Sequence, residues 1–290
     1  MDIITKNWKD YECLDAGDGE KLERWQDIIL RRPDPTAIWP KDETYKLWNN
    51  AHGLYHRSNK GGGEWEFNKK VPDFWTVNYQ DLKFKVSPTG FKHTGLFPEQ
   101  GVNWDYMTDK IKNAGREVKI LNLFAYTGGA TMACAAAGAS EVVHVDAAKG
   151  MVNWAKENMH LCDLDDHKIR FIVDDVNKFV EREVRRGNHY DGIIMDPPSY
   201  GRGPNSEIWQ IEDLLYSLIK NLVTLLSDEP LFFLINSYTT GFSVLSLDNI
   251  MRLTLLERFK QGKIVTGALS LPITRRDIVL PCGIYGRFDV

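Results

Sequence analysis

The chain has 290 residues, 43% of them hydrophobic and 26% charged, with a formal net charge of -4. This is the composition of an ordinary globular protein of one or two domains, and the acidic balance argues against indiscriminate nucleic-acid binding, which needs a basic surface. No apolar run approaches the roughly 18 residues of a membrane span, the first residues lack the pattern of a signal peptide, and the four cysteines lack metal-ligand spacing. We therefore expect a cytoplasmic protein without a metal site or a membrane association.

Residues 1–95 predict short strands and turns, which we expect to form a small β-rich domain that binds substrate or covers a ligand. Period-two alternation predicts a hairpin from residues 75–79 and 82–86. Residues 46–93 carry 8 Lys and Arg against 4 Asp and Glu, and many aromatic side chains lie among them. Interleaved basic and aromatic residues can bind phosphates and stack on bases, but a β-sheet with its lysines in solvent has the same pattern.

From residue 96 to residue 290 strands and helices alternate, which predicts a second domain of the α/β class. A helix is expected at 99–113, and strands at 118–124, 141–145, 169–173, 191–195, 231–236 and 263–269. Apolar residues recurring at three and four predict helices between these strands. The expected fold is a Rossmann-like, mostly parallel sheet with helices on both faces. No helix precedes the last segment, 277–288, so we expect it to pair antiparallel with the preceding strand.

Three successive predicted strands end in residues suited to a ligand that contains a nucleoside. The first is followed by Ala125-Tyr126-Thr127-Gly128-Gly129, where small residues let the backbone approach a ligand. The second ends at Asp146, about 20 residues further on, where an acid can accept both ribose hydroxyls. After the third, Asp174 or Asp175 can accept an adenine amine while Val176 packs on the ring. Each feature alone suits a helix start or cap, but all three lie at one edge of the sheet, where ligands of open α/β folds bind.

A nicotinamide dinucleotide is the alternative ligand. Its fingerprint, G-x-G-x-x-G, uses three glycines to hold a diphosphate. This chain has A-Y-T-G-G-A and no third glycine. A ligand without a diphosphate, such as S-adenosylmethionine, is therefore favoured.

The most informative segment is Asp196-Pro197-Pro198-Ser199-Tyr200, here called the proline motif, which follows the strand predicted at 191–195. An acid, two prolines and an aromatic residue suit the binding of a flat ring that contains nitrogen. We expect the Asp196 carboxylate and the Pro197 carbonyl to accept hydrogen bonds from an amine, and Tyr200 to stack on the base. Residues 201–205 predict a loop over the substrate, with Arg202 available for a phosphate. The alternative is a rigid turn that only ends the strand.

Residues 121–130, 145–146, 174–176 and 196–200 together resemble the bacterial 23S ribosomal RNA large-subunit methyltransferases, which make 5-methylcytosine or 7-methylguanine. Residues 92–100 are similar to the segment that precedes their catalytic domain, although Glu99 stands where aspartate is usual. The resemblance covers about residues 85–290 and includes no recognisable RNA-binding PUA domain. It implies the class I methyltransferase fold, in which an antiparallel hairpin ends the sheet.

The resemblance also implies S-adenosyl-L-methionine as the cofactor and ribosomal RNA as the partner. It places Gly128 at the methionine part of the cofactor, Asp146 at the ribose and Asp175 at the adenine. The cofactor-binding residues that we expect are Gln100, Phe124, Tyr126, Thr127, Gly128, Asp146, Asp175, Val176 and Asp196. The expected catalytic residues are Asp196, beside the sulfonium methyl, with Pro197 and Tyr200.

Whether carbon or nitrogen is methylated depends on whether the chain has a cysteine that can act as a nucleophile. Carbon 5 of cytosine becomes nucleophilic only after a thiolate adds at carbon 6, so the 5-methylcytosine enzymes need a cysteine. Here Ser237 stands where their cysteine follows the fifth strand, and Cys134 and Cys162 fall in predicted helices, where we expect core residues. We therefore expect direct in-line transfer to a base nitrogen of ribosomal RNA, without a metal or a covalent intermediate.

Two other functions stay open. A methyltransferase for a small molecule or a protein side chain suits the acidic net charge and the lack of a PUA domain. A non-catalytic RNA-interaction protein that binds the cofactor is the alternative of another class, against which the intact Asp196-Pro197-Pro198 speaks.

Overall fold

The computed structural model of the protein describes residues 1–58, 62–90 and 92–290, which divide into two compact units. The α/β unit consists of residues 1–3, 103–268 and 283–290, and the β unit of residues 4–102 and 269–282. The boundary expected between residues 95 and 96 stays a prediction. By compactness, the division falls after Val102, and Leu269–Cys282 belongs with the amino-terminal residues.

The strands, in chain order, are β1 (Ile3–Ile4), β2 (Tyr11–Gly17), β3 (Glu20–Trp25), β4 (Ile28–Pro33), β5 (Gly53–Arg57), β6 (Gly63–Phe67), β7 (Trp75–Tyr79), β8 (Leu82–Val86), β9 (Lys119–Leu123), β10 (Glu141–Asp146), β11 (Ile169–Val173), β12 (Gly192–Met195), β13 (Tyr200–Arg202), β14 (Ile208–Gln210), β15 (Phe232–Ser237), β16 (Lys263–Ile273) and β17 (Ile278–Asp289). The α-helices are α1 (Gly101–Lys112), α2 (Gly129–Ala136), α3 (Lys149–Leu161), α4 (Val176–Arg186), α5 (Ile211–Leu225) and α6 (Val244–Arg258). Within the described residues, no helix combines the length and the hydrophobicity needed to cross a membrane.

In the β unit, β2, β3 and β4 form an antiparallel meander, and β5 pairs parallel with β4 and antiparallel with β6. Strands β7 and β8 form the antiparallel hairpin that the alternation predicts. Its inner face buries Val77 and Phe84, whereas Lys83 is exposed between its buried neighbours. Side chains of successive strand residues point to opposite faces, so the lysines of this hairpin face solvent.

In the α/β unit, β11, β10, β9, β12 and β15 are parallel neighbours in that order. This confirms the Rossmann-like sheet. Strands β12 and β15 are buried along their whole length, as parallel strands with both faces covered should be. Strand β17 pairs antiparallel with β15 and lies between β15 and β16. The last segment is therefore antiparallel to β15, and it also neighbours β16, the strand before it in sequence, with which pairing was expected.

Candidate active site

The ends of the parallel strands bring the predicted residues to one edge of the α/β unit. In the register, Leu123 lies beside both Val145 and Met195, and Met195 beside Ile235. The residues that follow these positions are therefore level with one another at the carboxyl edge of the sheet. Ligands of open α/β sheets bind at this edge.

Strand β9 is followed by a strained turn, residues 124–128, here called the glycine turn. Phe124 and Tyr126 have positive φ angles of 53° and 51°, and Gly128 has a φ of 84°. Non-glycine residues in this region cost about 1–3 kcal/mol and persist only where their surroundings hold them. The Ala125 N–H donates to the Val145 carbonyl at 3.1 Å, which ties the turn to the neighbouring strand.

Asp146, the last residue of β10, forms hydrogen bonds to the same turn. One carboxylate oxygen accepts the Tyr126 N–H at 2.8 Å, and the other accepts the Ala148 N–H at 2.8 Å. Burial raises the pKa of Asp146 above its ordinary value, although both N–H groups act to lower that pKa. Each carboxylate oxygen has two lone pairs, so these two bonds leave acceptor capacity for hydroxyl groups.

A residue that the sequence analysis missed supports the turn from below. The buried Asn158 of α3 donates from Nδ2 to the Thr127 carbonyl at 2.9 Å. A Cβ on Gly128 would lie 3.1 Å from the Ala155 Cβ and from the Met132 side chain. The sequence pattern that could have indicated Asn158 is its spacing: it is a polar residue on the helix face that the buried Val152 and Ala155 define in α3.

The two acids that follow β11, Asp174 and Asp175, have separate partners. Asp175 is the N-cap of α4, and its Oδ1 accepts the Lys178 N–H at 3.0 Å. Asp174 forms an ion pair with Arg182. Val176 is buried at the start of the helix. Asp175 thus fills the capping role that the sequence leaves open, and the cap uses only one of its two oxygens.

The proline motif follows β12 directly. The Asp196 N–H lies 3.4 Å from the Leu123 carbonyl, which places the start of the motif beside the end of β9. Pro197 is buried, whereas Tyr200 is 53% exposed. The Ser199 hydroxyl contacts that of Thr239 at 3.0 Å. The motif thus presents an exposed aromatic ring next to a half-buried carboxylate.

The loop predicted at residues 201–205 is wrong in its first residues. Tyr200–Arg202 forms β13, which pairs antiparallel with β14. Glu207 closes the connection by accepting the Asn205 N–H at 2.9 Å, and it also forms an ion pair with Lys178 of α4. The sequence analysis missed this hairpin because its strands have three residues each. Arg202 is exposed on it.

Gln100 belongs to the β unit and ends a 3-10 turn, Pro98–Gln100, whose three residues are buried. The Trp8 indole donates to the Pro98 carbonyl at 2.8 Å, and the Thr5 hydroxyl donates to the Glu99 carbonyl at 2.5 Å. These contacts fix the backbone of the segment that resembles the family. The cofactor contact of Gln100 stays a prediction.

The strand predicted at 231–236 is β15, which ends at Ser237, and the residues that directly follow it include no cysteine. Ser237 is buried there, and its hydroxyl accepts the Thr239 N–H at 3.3 Å. Cys134 is fully buried in α2, and burial raises its thiol pKa above the ordinary value. Cys162 follows α3 and is half-buried, so it is less enclosed than the core position expected for it.

Comparison with known proteins identifies the relatives of this chain. The family model described as S-adenosylmethionine-dependent methyltransferase matches residues 42–253. The ribosomal RNA large subunit methyltransferase K/L of Shewanella frigidimarina is 30% identical over 206 residues, which is 70% of this chain. This chain spans only 27% of the length of that relative.

Among solved structures, the SAM-dependent methyltransferase from Agrobacterium tumefaciens matches with a TM-score of 0.95 and 34% identity. The match covers 100% of this chain and 93% of that one. A putative SAM-dependent methyltransferase from Streptococcus mutans matches with a TM-score of 0.73 and 18% identity, over 98% of this chain and 76% of that one. The second likeness concerns the fold alone.

Proposed function

The chain belongs to the family of S-adenosylmethionine-dependent methyltransferases, and from this premise we propose that it methylates a base nitrogen of ribosomal RNA by direct in-line transfer. It is an enzyme whose cofactor is S-adenosyl-L-methionine, so the non-catalytic alternative falls. The observation that carries the proposal is the proline motif, held beside the end of β9 where the glycine turn begins. A ribosomal RNA acceptor is also in the name of the Shewanella relative.

The glycine turn suits the cofactor because its backbone lies at the carboxyl edge of the sheet, where ligands of open α/β folds bind. Gly128 has a positive φ and no space for a Cβ on its inner side, and Asp146 keeps acceptor capacity. We assign Phe124, Tyr126, Thr127 and Gly128 to the methionine part, Asp146 to the ribose, Asp175 to the adenine amine and Val176 to its ring.

Bound S-adenosylmethionine supplies a methyl group that a neutral amine can accept without a metal. The Asp196 carboxylate and the Pro197 carbonyl would accept hydrogen bonds from the acceptor nitrogen and aim its lone pair, while Tyr200 stacks on the base. Positioning of this kind can account for about 7–11 kcal/mol of a barrier. A base inside folded RNA would have to be unstacked to reach the motif.

The β unit supports an RNA acceptor. On the outer face of the β7–β8 hairpin, here called the basic face, Lys83 is exposed and the Lys85 Nζ lies 4.9 Å from the centre of the Phe74 ring. Phe74 itself is 57% exposed. The hairpin thus buries its apolar side, as expected of an ordinary β-sheet with its lysines in solvent. It also presents lysines beside an aromatic ring. Lysines of this kind bind phosphates, and exposed rings stack on bases.

The test is transfer of labelled methyl from S-adenosylmethionine to ribosomal RNA, to ribosomal subunits and to a small-molecule extract. We expect label in RNA, and nucleoside analysis should place it on a base nitrogen. In Asp196→Ala we expect a fall in kcat of at least about 100-fold, as for a misplaced reactant, with cofactor binding retained in calorimetry. Asp196→Asn keeps one acceptor oxygen and should fall less.

Each other outcome is decisive. Label confined to small molecules would overturn the RNA acceptor and favour the alternative enzyme. Label on cytosine carbon 5 would overturn nitrogen transfer. Unchanged turnover in a folded Asp196→Ala would overturn the role of the proline motif. The cytoplasmic location stays a prediction.

A further inference from the structure

Trp209 links the glycine turn to the proline motif, although no motif in the sequence singles it out. Its indole Nε1–H donates to the Pro198 carbonyl at 2.6 Å. Its ring centre lies 4.9 Å from that of Phe124, with the planes inclined at 57°. Trp209 itself is 4% exposed. One side chain therefore contacts both segments of the site.

The β13–β14 hairpin explains why the indole points inward. Trp209 is the central residue of β14 and lies opposite Gly201 in β13. Its neighbours Ile208 and Gln210 are exposed, as the period-two alternation of a strand requires. The hairpin is joined to the motif a second time, because the Ile211 N–H donates to the Ser199 carbonyl at 3.0 Å. The hairpin thus holds Trp209 in one orientation.

The two prolines make this donor important. Proline has no backbone N–H, so Pro197 and Pro198 cannot fix their own peptide planes by donating hydrogen bonds. Their orientation has to be set through their carbonyl groups and by packing. The Trp209 indole donates to the Pro198 carbonyl, and rotation of the Pro198–Ser199 peptide would break this bond and leave the buried indole without that acceptor. Leaving a buried donor unpaired is unfavourable.

We propose that Trp209 is a positioning residue of the methyl transfer. Its N–H fixes the plane of the Pro198–Ser199 peptide, and because the ring of Pro198 locks φ, this restrains the preceding peptide, whose Pro197 carbonyl meets the acceptor nitrogen. Its ring packs on Phe124 and holds the glycine turn at a constant distance from the motif. This inference rests on the proposed function for its effect on turnover, but the link between the two segments can be measured without any acceptor.

Trp209→Phe removes the N–H and keeps an aromatic ring next to Phe124. Trp39→Phe is the matched control, because the Trp39 indole donates to the Ala16 carbonyl at 2.7 Å in the β unit. With the ribosomal RNA or subunits that the wild type labels, we expect kcat to fall about 10- to 100-fold in Trp209→Phe, as for a misplaced reactant. The dissociation constant of S-adenosylmethionine and the midpoint of thermal unfolding should match those of Trp39→Phe.

An unchanged kcat in Trp209→Phe would overturn the inference, and so would an equal fall of kcat in both variants, which would indicate a stability effect only. The second arm follows the indole N–H resonance of Trp209, which its loss in Trp209→Phe identifies. Addition of S-adenosylhomocysteine should shift this resonance through Phe124, and the Trp39 resonance should stay in place. An unmoved Trp209 resonance in a cofactor-saturated protein would overturn the link, even if no acceptor is labelled and the proposed function fails.

Discussion

Two sets of polar side chains, one in each unit, act in different ways. In the α/β unit, Asp146, Asp175 and Asn158 bond to backbone groups of turns and helix starts. In the β unit, the buried side chains of Arg32 and Glu23 form an ion pair at 2.5 Å. Side chains that bond the backbone keep turns in conformations that would otherwise relax, whereas an ion pair fixes two side chains and leaves the strands regular.

The pKa directions show the same contrast. Burial alone raises the pKa of Glu23, but Arg32 and Lys21 outweigh burial and hold that pKa below its ordinary value. No cation is among the causes for Asp146, and burial raises its pKa. Neighbouring cations therefore keep Glu23 ionised, whereas Asp146 is partly desolvated and accepts backbone N–H groups.

The largest expected effect is on the ion pair of the β unit. Glu23→Ala leaves Arg32 buried without its partner, and removal of one partner of such a pair costs about 3–5 kcal/mol. Denaturant unfolding should show this loss. Glu12→Ala is the control, since Glu12 and Arg24 are paired at 3.0 Å with side chains about one third exposed, and it should cost less than about 1 kcal/mol. Equal losses in the two variants would contradict the distinction between the units.

Acid should reveal one histidine in each unit, the buried His144 and the half-buried His93. Burial lowers the pKa of His144 to about 3, and burial with Arg32, Lys92 and Lys21 lowers the pKa of His93 to about 3. An unfolded histidine titrates near pH 6.5, so the unfolded chain binds the proton first. The free energy of unfolding should therefore fall as pH drops below 6.5, by about 2 kcal/mol per histidine at pH 5.

The measurement is the free energy of unfolding between pH 7 and pH 5. His144→Asn and His93→Asn should each remove one histidine's share of the pH dependence. Lys92→Met should reduce the share of His93 and leave that of His144 unchanged, because burial alone lowers the pKa of His144. A pH dependence that survives both histidine variants would show that other groups titrate in this range.

Local pattern predicts much of the α/β unit but little of what holds its site together. The places of Asp146 at the end of β10 and of Asp175 at the start of α4 could be predicted because strand ends and helix starts are visible in sequence. Asn158 and Trp209 were missed because their partners, Thr127 and the Pro198 carbonyl, are 31 and 11 residues away in the chain. The pairing of β17 with β15 was missed for the same reason, since sequence order points only to β16.

Alanine substitution at two glycines with positive φ should separate two contributions to the free energy of unfolding: the strained backbone angle and the close contact of a new Cβ. Gly128→Ala meets both, since its φ is 84° and a Cβ would lie 3.1 Å from Ala155 and Met132. Gly138→Ala meets only the first, because its φ is 98° and nothing lies within 4 Å. We expect Gly128→Ala to lose about 1–2 kcal/mol more than Gly138→Ala in denaturant unfolding, and to weaken S-adenosylmethionine binding in calorimetry. Equal cofactor affinity in the two variants would contradict the role of the glycine turn.

The smallest expected effect concerns the charges of the β unit that face solvent. Since Lys83 is exposed and Lys85 is half-buried with its Nζ over the exposed Phe74 ring, their removal should lower the free energy of unfolding by no more than about 1 kcal/mol. If the basic face binds phosphates, each alanine variant should weaken RNA binding at every sequence and lower the slope of log affinity against log salt by about 1. Lys112→Ala, an exposed lysine at the end of α1, should leave that slope unchanged. A loss of stability without a change in slope would mean that even the outer charges of the β unit act on the fold, because a phosphate contact cannot be lost without changing the salt dependence.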